Sequence, residues 1–587
     1  MGDSYIIAID FGTAYSGYAY TVASNEEEID PVLKKWGEDL GLDTPKTPTC
    51  ILFNEHEEFI KFGYEAKTAY INVRGEEAKK LYFFENFKMA LYGTELNREV
   101  TIKAANGKSM TALKVFTESL RFLKDDALKT ISAKAKRKFL ASDFTWVLTV
   151  PAIWDPSAKQ FMREAATEAG IVTEGNEHKL VIALEPEAAS VWCKKLPADG
   201  FITQNHDRDA LDESPGTQYI VVDCGGGTID ITVHEVQEGG ALKELDKASG
   251  NDQGGQNVDR KFKEFLKEIF CDGVWDEYEK NYPSEVQKLM YDFTRLKQVD
   301  EDVQFSCPYN LGKLAQKNKD IEKFFEPVPG ATWNDGSIKI SREKMRSFFA
   351  ESLQGITENL KGIFKKDFSI EYILLVGGYA GSQILRQHIT EQFGRRCKVL
   401  CPARAQEAIV NGAVKFGRNP ELVTSRKSAY TYGIAICVRF DESQHKAEKR
   451  FTADGIEICG DIFSKLVEEG EDVGWNDIKT CSLFPIESMQ TSMSMRFYRT
   501  ERKYPKYVDE WAVEEAGSFI VSMPDTAEGL NREVSLEIRF GSSEITATAT
   551  DVASGSKGSI KIDFMTKSRQ SGKIRHSPSN HCITSPE

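Results

Sequence analysis

The sequence predicts a mixed α/β protein followed by an antiparallel β-rich region. Three observations carry this. Apolar strand-like runs alternate with amphipathic helical runs over about the first 420 residues. One strand–turn–strand pattern occurs twice, with Asp10 and Asp223 at matching places 213 positions apart (223 − 10). Near residue 425 the texture changes to short alternating strands separated by turn residues.

The elements follow in chain order. Tyr5 to Asp10 is an apolar strand, Phe11-Gly12-Thr13-Ala14 a small-residue turn, and Tyr15 to Val22 the returning strand. Met110 to Phe139 is helix-rich, and Trp146 to Pro151 reads as a buried strand. Ser157 to Gly170 is an amphipathic helix with Gly170 as its C-cap. Leu180 to Leu184 is a strand, followed by Glu185-Pro186 and a helix over Glu187 to Leu196. Residues 199–217, rich in Asp, Gly, Pro and Ser, read as an exposed loop. The second copy is Tyr219 to Asp223, the turn Cys224-Gly225-Gly226-Gly227-Thr228, and Ile229 to Val233. Helices are expected over Val258 to Phe270, Arg342 to Phe364 and Gln383 to Phe393, with a strand at Tyr372 to Val376 ending in Gly377-Gly378. Later strands are expected at Ile434–Phe440, Ser492–Tyr498, Phe519–Met523, Val534–Phe540 and Ile545–Thr550. Residues 568–587 read as a disordered polar tail.

Composition narrows the function classes. The chain has 587 residues, 41% of them hydrophobic, enough for sizeable cores. Its formal net charge of −15 speaks against nucleic-acid binding, which needs a basic face. A local anion site remains compatible, because backbone amides and a metal can supply that field. No run reaches the roughly 18 apolar residues of a membrane helix. The Met1-Gly2-Asp3-Ser4 start shows no signal-peptide pattern, and Ile6 stands where a myristoylation motif wants Ser or Thr. Eleven scattered cysteines without a Cys-x-x-Cys pair, and no glycosylation sequon, point to a reducing, cytoplasmic setting. The eight histidines show no zinc spacing.

The repeated turn has a chemical reading. Glycine lets backbone N–H groups approach a phosphate without a Cβ in the way. Threonine adds a hydroxyl donor, and an Asp at the strand end can hold magnesium directly or through its waters. One such turn is weak evidence of a site; two with the same Asp and Thr placement could grip one polyphosphate from opposite sides. Strand alternation puts Asp230 on the side of Thr228. Cys224 reads as a buried small residue. A Walker A loop fails, since the first Gly required before Gly107-Lys108-Ser109 falls on Ile102. No Gly-x-Gly-x-x-Gly opens a helix after a strand.

These residues carry a resemblance. Ala8-Ile-Asp-Phe-Gly-Thr-Ala-Tyr-Ser16 resembles the first phosphate motif of the actin-like ATPase superfamily, in the form used by the 70-kDa heat-shock chaperones. Val222-Asp-Cys-Gly-Gly-Gly-Thr-Ile-Asp230 resembles their second phosphate motif, and Leu375-Val-Gly-Gly-Tyr-Ala-Gly381 their adenosine motif. Val150-Pro-Ala-Ile-Trp and Leu184-Glu-Pro-Glu-Ala-Ala-Ser190 resemble the connecting segments. Val-Gly-Gly-Tyr-Ala-Gly-Ser together with Glu-Pro-Glu-Ala-Ala-Ser looks most like the divergent heat shock 70 kDa protein 12 subfamily.

The resemblance implies a two-lobed actin-like ATPase core, a duplicated ribonuclease-H-like unit, over 1–215 and 216–424. It implies a β-sandwich-like, substrate-binding-like domain at 425–567, whose 143 residues leave no room for a helical lid. The implied cofactors are ATP/ADP and Mg²⁺, with Asp10 and Asp223 organising the metal. Gly12, Thr13, Ala14 and Tyr15, with Gly225, Gly226, Gly227 and Thr228, would cradle the phosphates. Lys88 matches the family's catalytic lysine, and Glu185 and Asp230 would position the attacking water, in keeping with phosphoryl transfer by positioning and electrostatics. Gly377, Gly378, Tyr379 and Gly381 would pass the ribose and adenine. In the adenine helix the nearest segment is Thr294-Arg-Leu-Lys297-Gln298-Val-Asp-Glu301, where Lys297 matches the family lysine and the neighbouring positions differ. In the adenosine motif the family arginine falls on Gly381, and Leu422 to Tyr430 stands where the family has a leucine-rich linker. The implied activity is slow ATP hydrolysis in a chaperone-like protein, with client polypeptides or signalling proteins as partners of the β region. A nucleotide-switched scaffold, a small-molecule kinase and a filament former of the same superfamily are the alternatives.

Overall fold

Each hairpin founds a sheet. Tyr5–Phe11 pairs antiparallel with Tyr15–Thr21 and, on its other edge, parallel with Phe144–Val150, which runs parallel to Leu180–Leu184. The second sheet repeats this order. Gln218–Cys224 pairs antiparallel with Ile229–Val236 and parallel with Ile370–Val376, which runs parallel to Lys398–Pro402. The tight turns allow the antiparallel pairs, whereas the parallel ones need crossovers, here containing helices. The computed structural model describes residues 5–22, 30–73, 75–94, 96–202, 210–475, 477–540, 545–561, 565 and 582–583.

The central strands are continuous apolar runs because both faces are buried: Ile6 to Ile9 in one sheet, Ile220 to Val222 in the other. One apolar cluster joins the sheets, combining Ile6, Ala8 and Val147 with Val221, Leu374, Ile409 and Ala413. Within it the helices Glu185–Cys193 and Ala405–Arg418 meet at Gly412. A Cβ there would lie 1.7 Å from the Ala188 carbonyl oxygen, so only glycine permits the approach.

Several expectations are refined. The helix expected over Arg342 to Phe364 is two helices, Arg342–Ser347 and Ala350–Ile363. The break forms where Phe348 and Phe349 turn into the core and their N–H groups bond three residues back, to Met345 and Arg346. The loop expected at 199–217 contains a buried strand pair, Phe201–Ile202 against Cys401 and Pro402, because Phe201 fills the core; its residues 203–209 lie outside the described residues.

The C-terminal part forms a separate assembly of strands. It includes Thr431–Arg439, Ile478–Pro485, Ser492–Thr500, Glu514–Ser522, Val534–Arg539 and Thr546–Asp551. The twelve-residue strand Ile456–Val467 escaped the sequence pattern because Asp461, at φ 59°, interrupts its alternation. The tail at 568–587 lies outside the described residues except for Cys582–Ile583. Those two form a short strand. Cys582 is buried, and Ile583 pairs with both Cys437 and Phe484, so an apolar pair in a polar stretch docks as a strand.

Val423–Lys427, in the linker position, adds as a parallel strand beside Leu242–Asn251. Arg426 there forks onto the buried Glu187 carboxylate at 2.6 and 2.7 Å. Arg499 and the Tyr430 hydroxyl, both from the β-rich part, reach the Asp155 carboxylate at 3.0 and 3.1 Å. No helix among the described residues is long and apolar enough to cross a membrane.

Candidate functional site

Both glycine turns line one cavity of about 940 Å³, and their construction explains why. In the second turn the carbonyls of Gly225, Gly226 and Gly227 are all taken by backbone N–H groups at the start of the helix Gly255–Ile269. Gly255 donates at 3.0 Å, Gln256 at 2.8 Å and Gly254 at 3.1 Å respectively. A trans peptide plane points its N–H opposite its C=O. The N–H groups of Gly226, Gly227 and Thr228 are thereby turned away from that helix, beside the cavity these residues line. In the first turn Thr49 does the same work alone. Its hydroxyl donates to the Gly12 carbonyl at 2.7 Å and its N–H to that of Ala14 at 2.8 Å. The turns meet closely: a Cβ on Gly226 would lie 2.8 Å from that of Ala14, and one on Gly227 would lie 2.7 Å from the Thr13 hydroxyl.

Four buried carboxylates and two buried lysines sit behind these turns: Asp10, Glu185, Asp223 and Asp230 with Lys46 and Lys88. Lys88 donates to Glu185 at 2.8 Å and lies 5.0 Å over the Trp154 ring. Asp230 accepts the Ile153 N–H at 3.0 Å and the Thr228 hydroxyl at 3.1 Å. Asp10 accepts Lys46 Nζ at 2.5 Å and the Thr149 hydroxyl at 3.2 Å. Asp223 is the exception, since its buried Oδ1 has no hydrogen-bond partner.

Burial and mutual repulsion show in the acidities. Burial pushes Asp230 up to about 7, with the Glu185 charge adding to the rise. Glu185 is raised by burial against the pull of Lys88. Asp223 is raised well above the carboxylate range by burial and by Glu185, Asp230 and Asp10. A buried, unpartnered carboxylate oxygen among acids calls for a cation. Glu185, Asp223 and Asp230 each place one oxygen within 4.8 Å of the others, and such hard oxygen donors suit magnesium.

All but one of the sequence-predicted residues line the cavity: Asp10, Gly12 to Tyr15, Lys88, Glu185, Asp223, Gly225 to Thr228, Lys297, Gly377 to Tyr379 and Gly381. Asp230 sits just behind, through Thr228 and Glu185. In the adenosine motif Gly377 has φ 85°, and a Cβ on it would strike Asp223 Oδ1 at 2.4 Å. Gly381 instead has open space around its Cα. Tyr379 is buried, with a hydroxyl that lacks a partner. Lys297 is held by the Asp259 carboxylate at 2.7 and 2.8 Å and by the Gly255 carbonyl at 2.9 Å. Lys46, Thr49, Thr149 and Asp259 were missed. Lys46 lies in Thr44-Pro-Lys-Thr-Pro48, a short segment with no chemical pattern of its own, and its partner is 36 positions away.

Comparison with known proteins accords with this geometry. A family model described as "Hsp70 protein" matches residues 6–419. Human heat shock 70 kDa protein 12A is 32% identical over 617 aligned residues, covering 95% of this chain and 91% of that protein. Human heat shock 70 kDa protein 12B is also 32% identical, covering 96% and 91%. Chaperone protein DnaK of Thermosipho africanus is 24% identical, covering 95% and 80%.

Proposed function

The chain belongs to the Hsp70 family and is a nucleotide-binding Hsp70-like protein, and on that premise we propose that it is a slow, magnesium-dependent ATPase with chaperone-like coupling to its β-rich part. One observation carries the reading: two glycine turns with their carbonyls tied back face one cavity, with Lys88 and Glu185 paired beneath them. The polyphosphate lies against both turns and accepts their N–H groups, that of Thr228 included, and the Thr13 hydroxyl. Lys88 stabilises charge on the transferring phosphoryl group, and Glu185 and Asp230 orient the attacking water. Asp223, with Asp10 nearby, would hold magnesium, which supplies charge neutralisation at the phosphates. We assign residues 1–215 and 216–424 to the two lobes and 425–567 to a substrate-binding-like β domain.

Phosphate release by the purified protein tests the site. Asp10→Ala and Asp223→Ala are each expected to lower it by about 100-fold or more. Equal release by the wild type and both variants would sink the assignment. A second reading, a nucleotide-switched scaffold with little turnover, is favoured by Lys297, whose ammonium is engaged by Asp259 rather than free for a base. ATP affinity near that of a working ATPase with no single-turnover hydrolysis would select it.

A further inference from the structure

Lys46 is a buried cation of the phosphate region that the family motifs do not supply. It is 8% exposed, lines the cavity, and donates to Asp10 Oδ2 at 2.5 Å. The fold is arranged to let it do so. Asp10 faces Gly17 across the first hairpin, and Lys46 passes over that glycine: a Cβ on Gly17 would lie 3.1 Å from Lys46 Cγ and 2.8 Å from the Pro45 carbonyl oxygen. The Lys46 backbone is held on both sides. Its carbonyl accepts the Thr44 hydroxyl at 2.9 Å, and the next residue, Thr47, pairs with Ser16 in the sheet. In the second hairpin the residue opposite Asp223 is Asp230, so glycine and a lysine stand on one side where a second acid stands on the other.

A buried ion pair contributes little net stability, because desolvating both charges offsets their attraction. A lysine kept beside the phosphate cradle therefore calls for another role. An ammonium has three donors, and Asp10 takes one. Its charge also reaches Glu185 and Asp223, opposing their rise.

We propose that Lys46 is a built-in cation of the phosphate site: it neutralises Asp10 and donates to the bound polyphosphate, so that nucleotide is held even when magnesium is removed. This rests on the nucleotide-binding reading of the cavity. The consequence is a nucleotide switch less dependent on magnesium than the four clustered acids alone would allow.

Binding of a fluorescent ATP analogue, measured with magnesium and with the metal chelated, tests this on the full chain. The wild type is expected to lose less than about 10-fold in affinity on chelation. Lys46→Met is expected to bind about 10-fold more weakly than wild type with magnesium and to lose about a further 100-fold on chelation, and Lys46→Arg to restore most of the metal-free binding. The proposal is overturned if the wild type also loses about 100-fold on chelation, or if Lys46→Met matches the wild type in both conditions. Absence of binding even with magnesium overturns the nucleotide reading itself, a distinct failure. Should Lys46→Met not fold, the wild-type comparison and Lys46→Arg still decide.

Discussion

The two hairpins share a sequence pattern and differ in electrostatics. In the first, Asp10 has a lysine and a threonine hydroxyl as partners, and a glycine opposite it in the sheet. In the second, Asp223 has an unpartnered oxygen and another aspartate opposite. The first turn is braced by one threonine, the second by the first turn of a helix. The contrast teaches that a repeated backbone motif can be given unequal chemical tasks by the residues packed against it. The first half brings its own positive charge, while the second gathers acids and awaits a cation.

The largest expected effect of a substitution breaks this comparison through stability. Asp10→Asn leaves the buried Lys46 without its counter-charge and is expected to destabilise the metal-free protein by about 3 kcal/mol. Asp223→Asn removes a carboxylate already repelled by its neighbours and is expected to be neutral or stabilising. Denaturant unfolding of both would decide, and equal losses would remove the asymmetry. Next in size is a wedge between the turns. Gly227→Ala would place a Cβ 2.2 Å from Met89 Sδ and 2.7 Å from the Thr13 hydroxyl, so nucleotide affinity should fall by about 100-fold with the fold intact. Titration calorimetry with ATP checks it, and unchanged affinity would separate the turns from the phosphate.

The last test concerns acid. Asp230 sits at about 7 in the folded chain against an ordinary 3.8. Between those values the folded protein keeps a proton that the unfolded chain releases, so stability falls as pH rises. The stabilisation is complete below the unfolded value and lost as pH passes the folded one. Metal-free protein is expected to lose about 4 kcal/mol across that window, and Asp230→Asn to flatten the slope. A stability rising over the same range in the wild type would contradict the burial argument.

Local elements were legible in the sequence. Leu180–Leu184 and Gln383–Phe393 have the bounds their apolar periodicity predicted. The Asp10 and Asp223 turns join antiparallel strand pairs, as the strand–turn–strand pattern implies. Ile456–Val467 and Cys582–Ile583 were not legible. One strand is interrupted at a positive-φ aspartate, and the other is short enough that only its partners define it.

By itself the sequence determined the mixed α/β class, the glycine–threonine turns and the acids at the strand ends, because these depend on residues within a few positions of one another. Tertiary structure alone decided which charges meet. Lys46 on Asp10, Lys88 on Glu185 and the group of Glu185, Asp223 and Asp230 each join residues far apart in the chain. Burial of these charged groups, which no local pattern encodes, makes those meetings matter, since charge interactions strengthen as water is excluded.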